Sequence, residues 1–256
     1  QIRGGVGLFQ GKNPAVWLSN AYSNAGATGA VGAFNNGGIP GLTFNPDPTN
    51  QAGPAGSPPA PNINITDPSF RQPSLWKSNL AFDHQLPFGS ITLSLEAYYN
   101  KVQDGMQVEF LNYKVATGNA TMPDGRVRYA GTPTSGTSAS SSGRRRNSAF
   151  SDVFYLTNTN KGESHGVTLS LFRPMKHDWS WSFSWTHGHA TEVNPMTSSV
   201  AGSNYSSRAV YNPNEDVASI ANTNISDRVV VQLTRQFHLI RDYNTTASIG
   251  YQWRTG

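Results

Sequence analysis

Along several stretches of the chain, neighbouring residues fall alternately into apolar and small polar classes, the period of two that sends successive side chains to opposite faces of a β-strand. Between Ser90 and Asn100, Ile91, Leu93, Leu95, Ala97 and Tyr99 share one face, and Ser90, Thr92, Ser94 and Glu96 share the other. From Trp179 the pattern is cleaner, with Trp179, Trp181, Phe183 and Trp185 against Ser180, Ser182, Ser184 and Thr186. Val229, Val231, Leu233 and Phe237 alternate with Val230, Gln232, Thr234 and Gln236, and Ala247, Ile249, Tyr251 and Trp253 with Thr246, Ser248, Gly250 and Gln252. Val167, Leu169 and Leu171, and Leu80, Phe82 and Leu86, repeat the theme. The pattern predicts seven strands, near 2–9, 77–86, 90–102, 152–173, 178–190, 226–239 and 244–255, and an additional hairpin around 106–130.

A soluble antiparallel sheet also alternates, but its wet face carries Lys and Glu. Here the polar face is small and uncharged, as the inward face of a wide membrane barrel is, while large aliphatic and aromatic side chains face lipid. Trp and Tyr near strand ends then suit the two bilayer interfaces. The connections agree, since outer-membrane barrels alternate short periplasmic turns with long extracellular loops. Short links at Pro87-Phe88-Gly89, Pro174 to His177 and Ile240 to Tyr243 separate long Gly/Pro/Ser/Asn-rich stretches at about 10–75, 104–150 and 191–226. Arg235 falls between Leu233 and Phe237 on the lipid face; a midplane arginine costs roughly 2–4 kcal/mol and an interfacial one about 0–1, which puts it at the periplasmic headgroups.

Composition narrows the classes further. Only 13% of the 256 residues are charged, about half of the usual ~25%, and 25 Gly with 16 Pro would interrupt long helices. The net charge of +4 is thinly spread and Arg144-Arg145-Arg146 is the one tight basic run, so nucleic acid is not expected as a partner. Without cysteine there is neither a disulfide framework nor a thiolate metal site. The sequence opens on Gln1-Ile2-Arg3, without Met or a secretory signal, and is expected to be a fragment or mature piece.

Longer phrases resemble a known family. Residues 5–20 (GVGLFQGKNPAVWLSN), the run from Asn158 through Asn160-Lys161-Gly162 to Leu171, Asn204-Tyr205 through Asn214, and the closing strand Thr246 to Tyr251 with Arg254-Thr255-Gly256 are similar to TonB-dependent outer-membrane receptors of the Oar-like subgroup. The resemblance implies an all-β fold, an antiparallel transmembrane β-barrel segment from a barrel of roughly 22 strands, with long extracellular loops. On that reading residues 1–256 are a partial barrel domain, the plug, TonB box and terminal strands lying elsewhere. It implies energy-coupled uptake of an unidentified ligand across the outer membrane of a Gram-negative bacterium. The implied partners are the TonB–ExbB–ExbD system, outer-membrane lipid and lipopolysaccharide. The alternative is a secreted all-β module, a sandwich binding carbohydrate or protein, which would need two facing sheets.

Motifs that carry chemistry are sparse, and no enzyme activity or cofactor is expected. Gly162-Glu163-Ser164-His165-Gly166 matches G-x-S-x-G, but a nucleophile elbow leads into a helix and here a strand follows. His187-Gly188-His189 puts two imidazoles on one strand face, with Glu192 the nearest further ligand, too few for a recognisable metal site. Asn212, Asn214, Glu215 and Asp216 cluster oxygen ligands that a loop calcium would use, against solvated loop residues as the default. The Ser/Gly tract 135–143 with its three arginines reads as an outward loop able to meet lipopolysaccharide phosphates. For ligand contact the loop aromatics Trp17, Tyr22, Tyr205 and Tyr211 are the candidates, with packing between loops the competing role for each.

Overall fold

The computed structural model describes residues 1–12, 15–23, 25, 46–50, 60–115, 121–129, 145–208, 210–240 and 243–255. Its elements are β1 (Ile2–Gln10), α1 (Ala15–Ser23), β2 (Ile63–Thr66), β3 (Ser74–Gln85), β4 (Thr92–Phe110), β5 (Val153–Thr159), β6 (Glu163–Lys176), β7 (Trp179–Glu192), α2 (Ala201–Ser206), β8 (Ser219–Ile220), β9 (Asp227–Ile240) and β10 (Tyr243–Arg254). Seven of the strands form one antiparallel layer in the order β1-β3-β4-β6-β7-β9-β10. No described helix is long and apolar enough to cross a membrane.

Register locks the alternation of each strand to that of its neighbour, because directly paired residues point to the same side. One cross-strand row runs Ile2, Phe82, Leu95, Leu169, Trp185, Val229, Trp253 through all seven strands. The next, His84, Leu93, Leu171, Phe183, Val231, Tyr251, lies towards the short turns. A slip of one residue anywhere would exchange these rows for serines and threonines.

The β6–β7 link is the residue pair His177 and Asp178, both at positive φ (51° and 66°), the backbone of a type I′ hairpin turn. Gly89 (φ 68°) and Ser90 (φ 54°) turn the β3–β4 link in the same way. Arg235 pairs with Trp179, the residue just after the turn, and its guanidinium stacks on Trp179 and Phe237 at 4.9 and 4.8 Å from the ring centres. Arg235 therefore lies at the short-turn end of the wall, away from the middle of the strands, and the two rings shield the cation.

Two expectations from the sequence need correcting. The strand expected over 152–173 is two strands, because Gly162, at φ +114°, breaks the run, although both pieces continue antiparallel along β4. β4 uses the break: it pairs with β6 as far as Lys101–Glu163, then with β5 from Gly105–Thr159 onward. The hairpin expected around 106–130 is partly this extension of β4, and what remains of it is held by the bridges Val115–Tyr129 and Thr121–Val127.

The upper part of β4, with β5, β2 in parallel against it, α1, α2 and the 193–217 connection, builds a cap on the long-loop side. Val108, Leu156 and Met196 form its core, with Trp17, Phe70, Phe154 and Tyr205 packed around it. α1, α2 and the parallel strand β2 are elements that the alternation does not announce.

Candidate functional site

Three surfaces follow from this arrangement. The first is the apolar face of the layer, which meets no other part of the described chain: Ile2 is 73% exposed, Leu80 61% and Ile249 70%. No second sheet lies across it among the described residues, so the sandwich alternative fails and the face is left for hydrocarbon.

The opposite face is a lattice of small polar contacts. Thr168 and Thr186 hydroxyls meet at 3.1 Å, Ser170 and Ser184 at 3.2 Å, and Thr234 and Ser248 at 2.9 Å, each a directly paired couple. Charge appears here in compensated form: Arg3 Nε donates to Asp83 at 2.9 Å, Ser94 Oγ donates to the same carboxylate at 2.6 Å, and Glu96 stands 3.9 Å from Arg3. Tyr98 lies across Gly166 and Gly188, which pair with each other; a Cβ on Gly166 would sit 2.8 Å from the ring and 2.7 Å from the His187 carbonyl. Glycine is needed there so that an aromatic ring can lie on bare backbone. Ser164, the centre of the G-x-S-x-G match, belongs to this face within β6, its hydroxyl accepting from Asn100 Nδ2 at 3.0 Å.

The third surface is the cap. Phe110, Tyr113, Phe154 and Tyr205 cluster with ring centres 4.3–6.2 Å apart. Burial pushes the Tyr205 hydroxyl upward in pKa, and its bond with Tyr113 adds to this. Asn112, 3% exposed, ties the loop ends together by donating to the carbonyls of Asn147, Phe150 and Ser151. Asp67 closes the β2 end: it accepts from the Ser69 hydroxyl and backbone N–H, and from Tyr155 and Thr157, which lowers its pKa to about 2. Burial lowers the pKa of Arg208, whose guanidinium donates to the Glu215 carbonyl, while burial followed by the charge of Asp216 raises Glu109. A cleft of about 310 Å³, open mouth included, lies between Trp17, Asn64, Ile65, Phe154 and Ala201, and the Asn64 Oδ1 beside it is buried with no hydrogen-bond donor among the described residues.

The four candidate aromatics divide. Trp17 lies along the cleft with Nε1 donating to the Ser198 carbonyl at 2.7 Å, and Tyr205 is part of the ring cluster. Tyr22, 85% exposed, and Tyr211, 51%, stand in the open. The oxygens proposed for calcium are dispersed among structural bonds. Asn214 exchanges two 2.7 Å bonds with the Phe110 backbone, Asn212 accepts from Val127 N–H, Glu215 accepts from Tyr211 N–H, and Asp216 accepts from Thr159 and faces Lys161. No group of three or more His, Cys, Asp or Glu suited to a metal occurs among the described residues. His187 turns to Asp227, with Nδ1 2.9 Å from Oδ1, while His189 faces His165 across the β6–β7 pair. Of the basic run, Arg145 and Arg146 are tied to Tyr113 and Asn112 by backbone bonds, while Arg144 and the tract 135–143 lie outside the described residues.

Trp17 and Tyr205 pack between loops, the role that competes with ligand contact for each; Phe110, Tyr113, Phe154 and Asn112 were not singled out, and their one trace in the sequence is the alternation that runs on past residue 104. Among curated proteins, none matches the chain. A layer greasy on one side and lined with hydroxyls on the other is what a barrel wall between lipid and water requires, and the sequence matches the family described as an outer membrane beta barrel domain over residues 1–246; the chain belongs to that family and resides in the outer membrane of a Gram-negative bacterium.

Proposed function

We propose that the chain forms wall and extracellular cap of a TonB-dependent receptor of the Oar-like kind, taking up a ligand through a wide, plugged barrel. The observation that carries the reading is the packed cap: long loops of a simple wall protein have no need of a core, whereas a receptor holds its binding surface rigid. Width supports it too. Among the described residues β1 and β10 do not pair with each other, so seven strands leave the layer open, and hydrocarbon tolerates no open edge; further strands complete the ring. The phrases at 5–20, 158–171 and 204–214 that resemble the subgroup supply the energy-coupling part of the proposal, with TonB–ExbB–ExbD as partner system.

On this reading Tyr22, Tyr211 and the cleft beside Trp17 are where a ligand is first met. Co-purification of the full-length protein with the periplasmic domain of TonB tests it. A stable complex is expected, and a full-length protein that folds in detergent yet captures no TonB would overturn the energy-coupled reading.

A further inference from the structure

The apolar rows of the wall end, on the cap side, at a band of histidines. Val167 and Trp185 are followed on the same outward face by His165, His187 and His189, at the height where hydrocarbon gives way to headgroups and water. In the sequence His187 and His189 stand two apart on one strand face and offer too few ligands for a recognisable site. Register adds what the sequence does not show: His165 is paired directly with His189, and their ring centres lie 5.7 Å apart.

Nitrogen ligands stand about 2.0–2.1 Å from a zinc-sized ion, so two imidazoles aimed at one ion have centres roughly 4.5–6 Å apart. The observed spacing falls within that range without moving the backbone. The backbone is also held, because Gly166 and Gly188, the residues next to the two histidines, pair with each other beneath Tyr98 on the far face. Neighbouring groups are otherwise engaged. His187 is bonded to Asp227, and the Glu163 carboxylate accepts from the Tyr99 hydroxyl at 2.9 Å and from Lys101 at 3.5 Å. Neither the His165 nor the His189 imidazole makes a hydrogen bond to another described residue; His165 is exposed, with the charge of Glu163 acting on it and no bond between them.

We infer that His165 and His189 chelate a divalent transition-metal ion of the imidazole-preferring class, Cu²⁺, Ni²⁺ or Zn²⁺, at the outer headgroup level, with water completing the coordination. The metal bridges β6 and β7 where the hydrogen-bonded wall approaches its rim. This inference rests on the register of the sheet and is independent of what the barrel transports.

The test uses untagged full-length protein in detergent, titrated with Cu²⁺ and then Ni²⁺ by calorimetry. Losing either member of a chelating pair removes the gain from a second, tethered ligand, so His165→Ala and His189→Ala each weaken binding by about tenfold or more. H187A leaves the affinity unchanged. The Cu²⁺ electron paramagnetic resonance spectrum of the unaltered protein, which needs no variant to fold, shows coupling to two imidazole nitrogens. Coupling to fewer than two, equal affinity in the H165A/H189A double variant, or loss of binding in H187A in place of H165A would each overturn the assignment.

Discussion

Leu169 and Leu156 are the same residue type in strands of the same chain, yet they occupy opposite physical situations. Leu169 stands in the seven-strand row of the wall, where its neighbours are lateral and its outward side meets no protein. Leu156, 7% exposed, packs with Val108 and Met196 inside the cap. The wall is held by register, backbone bonds and the match of its two faces to two solvents; the cap is held by burial, as a soluble domain is. A solvent boundary tolerates change of shape but not of polarity, and a packed core tolerates neither.

Truncation separates the two most sharply. Leu156→Ala removes buried volume and costs the cap about 2–5 kcal/mol, seen as faster amide exchange at Val108 and Phe154 with the wall still protected. Leu169→Ala costs the folded barrel only about 1.5–2 kcal/mol, the water-to-hydrocarbon transfer of the lost carbons with no cavity cost added, because lipid chains occupy the vacated space. Charge separates the two faces of the wall itself. Leu169→Arg costs about 2–4 kcal/mol in urea titration of the protein refolded into lipid vesicles, whereas Ser170→Arg, one residue along on the hydroxyl face, costs close to nothing.

Where the wall does pack tightly, volume counts again. Gly166→Val drives a side chain into the Tyr98 ring and the His187 carbonyl, and costs about 1–3 kcal/mol in the same titration. Arg235→Ala, which removes a cation held between Trp179 and Phe237, costs about 0.5–1 kcal/mol. The smallest effect is confined to the cap and is set by pH. Asp67 is held near a pKa of about 2, below its ordinary value of 3.8, so its contribution is fully present above the ordinary value and is lost as pH falls through about 2. Exchange protection at the β2 end declines over that window, and Asp67→Asn removes the decline.

The wall was legible in the sequence because its two faces differ in chemistry at every second residue, and the short turns punctuate it. Even Arg235 could be placed from the cost of a charge in hydrocarbon. The cap was not legible, since its order comes from contacts distant along the chain: Trp17 with Ser198, Phe110 with Asn214, Asn112 with Ser151. Gly162 carried a local signal, a lone glycine inside an alternating run, and its positive φ explains why one expected strand is two. The pairing of His165 with His189 was hidden for a related reason. Spacing within a strand is visible in sequence, and register between strands is not.

The central claim is that odd-numbered positions of β4 from 93 to 97 look into lipid and even-numbered ones onto water. Residues 1–256 contain no cysteine, so single cysteines at 93, 94, 95, 96 and 97 report without background from this segment in vesicle-reconstituted full-length protein, any cysteine outside it being replaced by serine. Fluorophores at 93, 95 and 97 are expected to be quenched by brominated lipid and shielded from a water-soluble quencher, with the opposite at 94 and 96. Equal quenching along the strand, or the inverse alternation, would contradict the account.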